Sequence, residues 1–130
     1  MHQDSSNPLF YQAKEQGQYA ASFGFDWPTS ADVMFKVLEE TQELQVAINE
    51  NDRDGIRHEI GDVLLALSSL ARHNELSLET AFQEAIQRFQ SRWEKMTSMA
   101  KASNMDLETL MPTEWENLWE KAKAELDNNI

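Results

Sequence analysis

Three consecutive stretches of this chain carry apolar residues at alternating four- and three-residue steps, and that spacing restricts the fold more than any other feature. Val33, Val37, Leu44, Ala47 and Ile48 form one seam, Ile56, Ile60, Val63, Leu67 and Leu70 a second, and Phe82, Ile86, Phe89, Trp93 and Met96 a third. This period gathers apolar side chains on one side of an α-helix, and helices joined by short links bury those sides against antiparallel neighbours. No stretch alternates with the period of a strand. Gly and Pro number only 4 and 3, so breaks are few and legible. A first helix is expected over Leu9 to Ser22, ended by the Gly24 to Pro28 segment. A second, capped by Thr29 or Ser30, runs to about Glu50, and a third spans Arg53 to His73. Ser77 caps a fourth reaching about Lys101. Pro112 opens a fifth that runs to about Leu126, with Thr113-Glu114-Trp115-Glu116 read as its capping box. The expectation is an all-α single domain over residues 1–130, a small bundle of about four to five helices. The stretch Val63 to Leu70 is apolar nearly all round and is expected to be a central, fully packed helix.

Composition narrows the function. A hydrophobic fraction of 41% is enough to fill a core. There is no cysteine, which removes disulfides and thiolate metal sites. The start, MHQDSSNPLF, lacks a basic segment followed by an apolar run, and Val63 to Leu70 is too short to span a bilayer. A soluble cytoplasmic protein without a membrane partner is expected. The formal charge of −12 argues against nucleic acid as a partner. An anion such as a triphosphate can be bound only through cations or a local basic patch.

One residue breaks the second helix's seam. The 4-3 pattern asks for an apolar side chain at position 40, and Glu40 stands there. Positions 36, 40, 43 and 47 share one side, so Lys36 and Glu43 lie on the adjoining stripe. A carboxylate on a packed seam is costly unless compensated, and neutralising Glu40 should then stabilise the metal-free fold. Glu59 and Asp62, three residues apart, project together from the third helix. Two carboxylates from each of two facing helices make an all-oxygen cluster suited to Mg²⁺ or Mn²⁺. In a chain with 23 Asp and Glu, either pair alone is more ordinarily a solvated face; Glu40 on the seam distinguishes this case. Glu39 points further out. Arg88, Arg92 and Lys95 lie on one stripe of the fourth helix beside its aromatic seam, either as flanking charges or as a phosphate clamp. His2, His58 and His73 are read as structural or incidental, because none follows a Glu by three residues in the manner of di-iron bundles. No Gly-rich phosphate loop is present.

With these residues in place, a family resemblance is visible. Lys36 to Leu44 resembles the KxxEExxEL stretch of MazG-type nucleotide pyrophosphohydrolases, and Glu59-Ile60-Gly61-Asp62 resembles their ExxD motif. Gly24 to Pro28 is similar to their GFDWP entry, Leu70-Ala71-Arg72 to their LAR, Arg88 to Trp93 to a basic-aromatic KFxxRF, and Leu118 to Lys123 to a terminal LWEEAK. The resemblance covers nearly the whole chain and departs from common family residues at Ser69 and Ile86. It implies a helical bundle working as a homodimer or dimer of dimers. It further implies Mg²⁺-dependent hydrolysis of (deoxy)nucleoside triphosphates to the monophosphate and pyrophosphate, as nucleotide-pool house-cleaning. Glu40, Glu43, Glu59 and Asp62 carry over as metal ligands, with Glu39 assisting the metals or the attacking water. Lys36, Arg88, Arg92 and Lys123 carry over as triphosphate contacts, joined by Lys95 from the stripe. Two rivals stand beside this reading: a related all-α enzyme acting on dUTP, and a non-catalytic acidic helical oligomer or binding module with a structural cation site.

Overall fold

The computed structural model describes residues 8–127. Five α-helices follow in order: α1 (Pro8–Ser22), α2 (Ser30–Asn49), α3 (Arg53–His73), α4 (Leu78–Ala102) and α5 (Pro112–Asp127), with one short 3₁₀ turn (Leu107–Thr109) before the last. Among the described residues there is no strand. The expected all-α class and helix boundaries hold to within a residue or two; the 3₁₀ turn lies in a stretch expected to be irregular. His2 lies outside the described residues.

The boundaries have local causes. Thr29 caps α2 by accepting a hydrogen bond from the Asp32 amide at 3.2 Å, Asp52 caps α3 by accepting from the Gly55 amide at 3.1 Å, and Ser77 accepts from the Thr80 amide at 3.1 Å. Only the glutamate half of a capping box forms at α5, and it sits two residues earlier than the sequence suggests. The Met111 amide donates to Glu114 Oε1 at 2.8 Å, so Met111 is the cap. Pro112, whose fixed φ and missing N–H suit the first helical position, sets that register.

Four helices end alike. The amides of Phe25, Asp52, Leu76 and Met105 return to the carbonyls of Ala20, Ala47, Ala71 and Ala100, with a left-handed residue just before each: Gly24, Asn51, Glu75 and Asn104. This is the Schellman closure, which satisfies otherwise orphaned carbonyls. Gly24, at φ 93°, takes that conformation without a Cβ clash.

The chain divides into two compact units, one up to Ala81 and the other from Phe82. In the first, α3 packs extensively on α2 through the link at residues 50–52, and α1 packs on α3. Val33, Val37, Ala47 and Ala66 are buried, and so is Glu40, 6% exposed on the same seam. The expectation of a fully packed third helix is not met. Leu64 and Leu65 are 52% and 54% exposed, and Ile60 is also exposed. A helix apolar all round cannot be covered by α1 and α2 alone, so one of its sides faces outward. In the second unit Met96, Ala100, Leu118 and Ala122 form the core between α4 and α5, flanked by Trp115 and Trp119. The Trp93 and Trp115 rings stack at 5.6 Å. Met96 is buried as its seam requires, whereas Phe82, Ile86, Phe89 and Trp93 are exposed.

A charged clamp fixes the Gly24 to Pro28 link. Arg72 on α3 donates two hydrogen bonds to Asp26, at 2.9 and 3.0 Å, and His73 Nε2 lies 2.9 Å from the same carboxylate. Gly17 on α1 leaves room for this, since a Cβ there would lie 2.9 Å from Arg72 Nε. The Arg72 hydrogen bonds hold the Asp26 carboxyl well below the usual carboxylate range, against the opposing effect of burial. A depressed acid contributes stability above its ordinary pKa and loses it as pH falls through the lowered one. Asp26→Asn is therefore expected to cost about 3 kcal/mol at neutral pH, because it leaves a largely buried guanidinium without its charge partner. Urea unfolding followed by circular dichroism measures this, and an unchanged midpoint would remove the clamp from the account.

Candidate metal centre

The centre is built from two neighbouring helices. On α2, Lys36, Glu40 and Glu43 share a stripe because of their four- and three-residue steps. Lys36 Nζ lies 2.9 Å from Glu40 Oε1 and 3.7 Å from Glu39 Oε1. On α3, Glu59 and Asp62 stand one turn apart. Glu40, Glu43 and Glu59 each offer an oxygen within 4.8 Å of the others' oxygens. Asp62 belongs to an adjoining group, within the same distance of Glu59 and His58, so Glu59 is common to both. Glu39 is exposed at the edge beside Lys36.

The polar accounting identifies what is missing from this cluster. Glu40 Oε2 and Glu59 Oε2 are buried with no hydrogen-bond partner, a costly state for carboxylate oxygens. Lys36 lowers the Glu40 carboxyl below its ordinary value, so it stays ionised. Hydrogen bonding to Glu40 and its charge raise Glu43, while burial, then Glu40, raises Glu59. One fixed carboxylate thus presses its neighbours toward protonation. A hard divalent cation relieves both effects, and oxygen-only donors are what Mg²⁺ or Mn²⁺ takes. The residues fit such an ion.

These shifts also correct an expectation. Glu40 does sit on the apolar seam, but Lys36 already compensates its charge, and the uncompensated carboxyls are Glu43 and Glu59.

Beside the carboxylates lies a cavity of about 420 Å³, within the size range of small-molecule sites. Lys36, Glu40 and Asp62 form one wall; Ala13, Gln16 and Ala20 of α1, Phe25 and Trp27 of the link, and Leu65, Ser69 and Arg72 of α3 complete it.

The remaining expected substrate contacts belong to the second unit. The Arg92 guanidinium lies over the Trp119 ring, 5.3 Å from its centroid, a favourable cation–π distance. Lys95 Nζ pairs with Glu125 at 3.2 Å. Arg88 and Arg92 line an open cavity with Gln87, Ser91 and Asp127, and Lys123 on α5 is half-buried. Lys36 alone of the five expected cations lies in the unit that carries the carboxylates. Two features escaped sequence reasoning: the Asp26–Arg72 clamp and the approach of His58 to Asp62. The first joins residues far apart in the chain. The second had a signal, the four-residue step from 58 to 62.

Comparison with known proteins decides the family. The profile described as MazG nucleotide pyrophosphohydrolase domain matches residues 29–97, more than half of the chain and the whole of α2 and α3. The chain belongs to the MazG family. It is 31% identical over 117 residues to the nucleoside triphosphate pyrophosphohydrolase/pyrophosphatase MazG of Thermotoga maritima, an alignment covering 90% of this chain and 45% of that protein. It is 29% identical over 122 residues to the nucleoside triphosphate pyrophosphohydrolase of Escherichia coli K12, covering 92% and 46%. The chain thus spans about half the length of the curated relatives it matches. Among the described residues, no helix is long and apolar enough to cross a membrane.

Proposed function

We propose that this MazG-family chain hydrolyses (deoxy)nucleoside triphosphates between the α- and β-phosphates, with Mg²⁺ held by Glu40, Glu43, Glu59 and Asp62, and that Mn²⁺ can substitute. The observation that carries the reading is the buried Glu40 carboxylate, ionised by Lys36 yet with one oxygen unpartnered, among further carboxylates at the wall of a nucleotide-sized cavity. The names of the relatives support the substrate class.

A divalent cation at these oxygens supplies Lewis-acid polarisation of the phosphates and a lowered pKa for water. The chain's own residues do the rest. Lys36 fixes the Glu40 carboxylate and presents positive charge at the cavity wall. Glu39, at the same edge, assists the metal or the attacking water. Arg88, Arg92, Lys95 and Lys123 contact the triphosphate and offset charge on pyrophosphate as it departs. Water oxygen bonds to the α-phosphorus, the bond from that phosphorus to the bridging oxygen breaks, and pyrophosphate leaves with the electron pair. The apolar side of the cavity, with Trp27 and Phe25, receives the nucleoside. A homodimer or dimer of dimers accounts for the exposed Ile60, Leu64 and Leu65 of α3. The role is house-cleaning of the cytoplasmic nucleotide pool, without a nucleic-acid or membrane partner.

The test is a panel of canonical and modified nucleoside triphosphates, dUTP included, with and without Mg²⁺. Monophosphate and pyrophosphate in equal amounts, only with the metal, are expected. Orthophosphate as first product, or no turnover of any member, contradicts the reading.

A further inference from the structure

We propose that His58 is a nitrogen ligand at the edge of this metal centre and biases it toward first-row transition ions over Mg²⁺. The inference rests on the metal-centre reading above. On α3, His58 Nε2 lies 3.1 Å from Asp62 Oδ2 and 4.0 Å from Glu59 Oε1. One atom from each of the three falls within 4.8 Å of the others. A second observation points to an ion rather than to a surface pair alone. The Glu59 oxygen Oε2 is buried without a partner, and so is Oε2 of Glu40, a side chain more than nine-tenths buried in the adjoining group that shares Glu59. Glu59, which carries one of these unmatched oxygens, is also a carboxylate that His58 approaches together with Asp62.

The donor set differs in kind from the rest of the centre. Glu40, Glu43 and Glu59 offer oxygen only, which suits Mg²⁺. Imidazole nitrogen adds little for Mg²⁺, which prefers oxygen and retains its waters, but it strengthens binding of first-row ions, whose affinities rise along the series from Mn²⁺. The ion takes the place of the contact between His58 and Asp62, and each then donates a lone pair to it. His58 is 70% exposed at its side chain, so it can turn to meet an ion at the rim without disturbing the packed seam. A plain surface ion pair between His58 and Asp62 is the competing account, and it makes no distinction between metals.

The full chain is titrated calorimetrically with MnCl₂ and with MgCl₂, as wild type and as His58→Gln, which keeps size and hydrogen bonding but removes the imidazole. The expected result is a fall of about tenfold in Mn²⁺ affinity with Mg²⁺ affinity nearly unchanged. Pulsed EPR of Mn²⁺ bound to the wild type should show nitrogen coupling, absent in His58→Gln. This measurement needs no variant, so the proposal remains testable even if the substitution harms folding. Wild-type Mn²⁺ binding without nitrogen coupling, or equal effects of His58→Gln on the two ions, overturns the role of His58. In that case Mg²⁺ binding that Glu40→Gln abolishes would leave the carboxylate centre standing. Wild-type protein that binds neither ion would overturn both.

Discussion

Glu59→Gln is expected to lose about 10²- to 10³-fold or more in turnover, the scale of a lost transition-state electrostatic contact, and yet to melt above the wild type in a chelator. Both effects come from one oxygen. Glu59 Oε2 is buried without a partner, and burial together with Glu40 pushes its carboxyl above the ordinary 4.5. An amide removes the repelled charge at nearly constant shape, and it removes a metal ligand. Glu40→Gln should behave oppositely in the chelator. Lys36, 2.9 Å from Glu40, would lose its partner beside a packed seam, so this variant should melt below the wild type although it too loses activity. The pH dependence has a definite sign. Glu43 and Glu59 are raised, so their contribution to stability is full below 4.5 and is lost as pH rises through their elevated values. Glu40 and Asp26 are lowered, so theirs is present above their ordinary values and lost as pH falls through the depressed ones. Chelated protein should therefore become less stable as pH rises above the ordinary carboxylate range. Mg²⁺ should reverse the loss, by about 2.7 kcal/mol at a hundredfold excess over Kd. Melting curves in EDTA and in Mg²⁺ across that range check this. A Glu59→Gln variant that melts lower in EDTA, or turns over at a comparable rate, would contradict the assignment.

Arg92→Ala is expected to lower kcat/KM about a hundredfold while leaving Mg²⁺ affinity without nucleotide unchanged. Arg92 is in the second unit, over the Trp119 ring, and among the described residues no ion pair holds it, so its charge is available to a phosphate. Asp62→Asn should do the reverse and weaken the metal itself. Arg92→Lys keeps the charge but loses the planar donor fork, and an intermediate kcat/KM is expected of it. Calorimetric Mg²⁺ titration of each variant, after circular dichroism has established similar helix content, separates the two roles. Equal damage to metal binding by Arg92→Ala and Asp62→Asn would show that the division between phosphate contact and metal ligand is wrong.

Much of this was legible in the residues because helices write their own periodicity. The bounds of α3 follow from Asp52 and the polar run before it at one end and from Asn74 at the other. Glu40 stood out because it interrupts an otherwise apolar step. What remained hidden was set by partners distant in the chain or by competition between local signals. Asp26 and Arg72 are 46 residues apart, and no spacing rule connects them. Thr113 looked like a cap, yet Pro112 fixes the first helical position and gives that place to Met111. Lys36 was visible beside Glu40, but only coordinates tell that it satisfies one oxygen and not the other. Leu64 and Leu65 read as buried because a single sequence does not say how many neighbours cover each side of a helix. His58 precedes Asp62 by four residues, a step that the Glu-x-x-His pattern of di-iron bundles does not contain.

The central claim, metal-dependent attack at the α-phosphorus, is tested most directly by hydrolysis of a deoxynucleoside triphosphate in ¹⁸O-labelled water, with Mg²⁺ and with EDTA, followed by mass spectrometry of the products. The account predicts one labelled oxygen in the monophosphate, unlabelled pyrophosphate, and no reaction in EDTA. Label in pyrophosphate or orthophosphate, or an undiminished rate in EDTA, would contradict it.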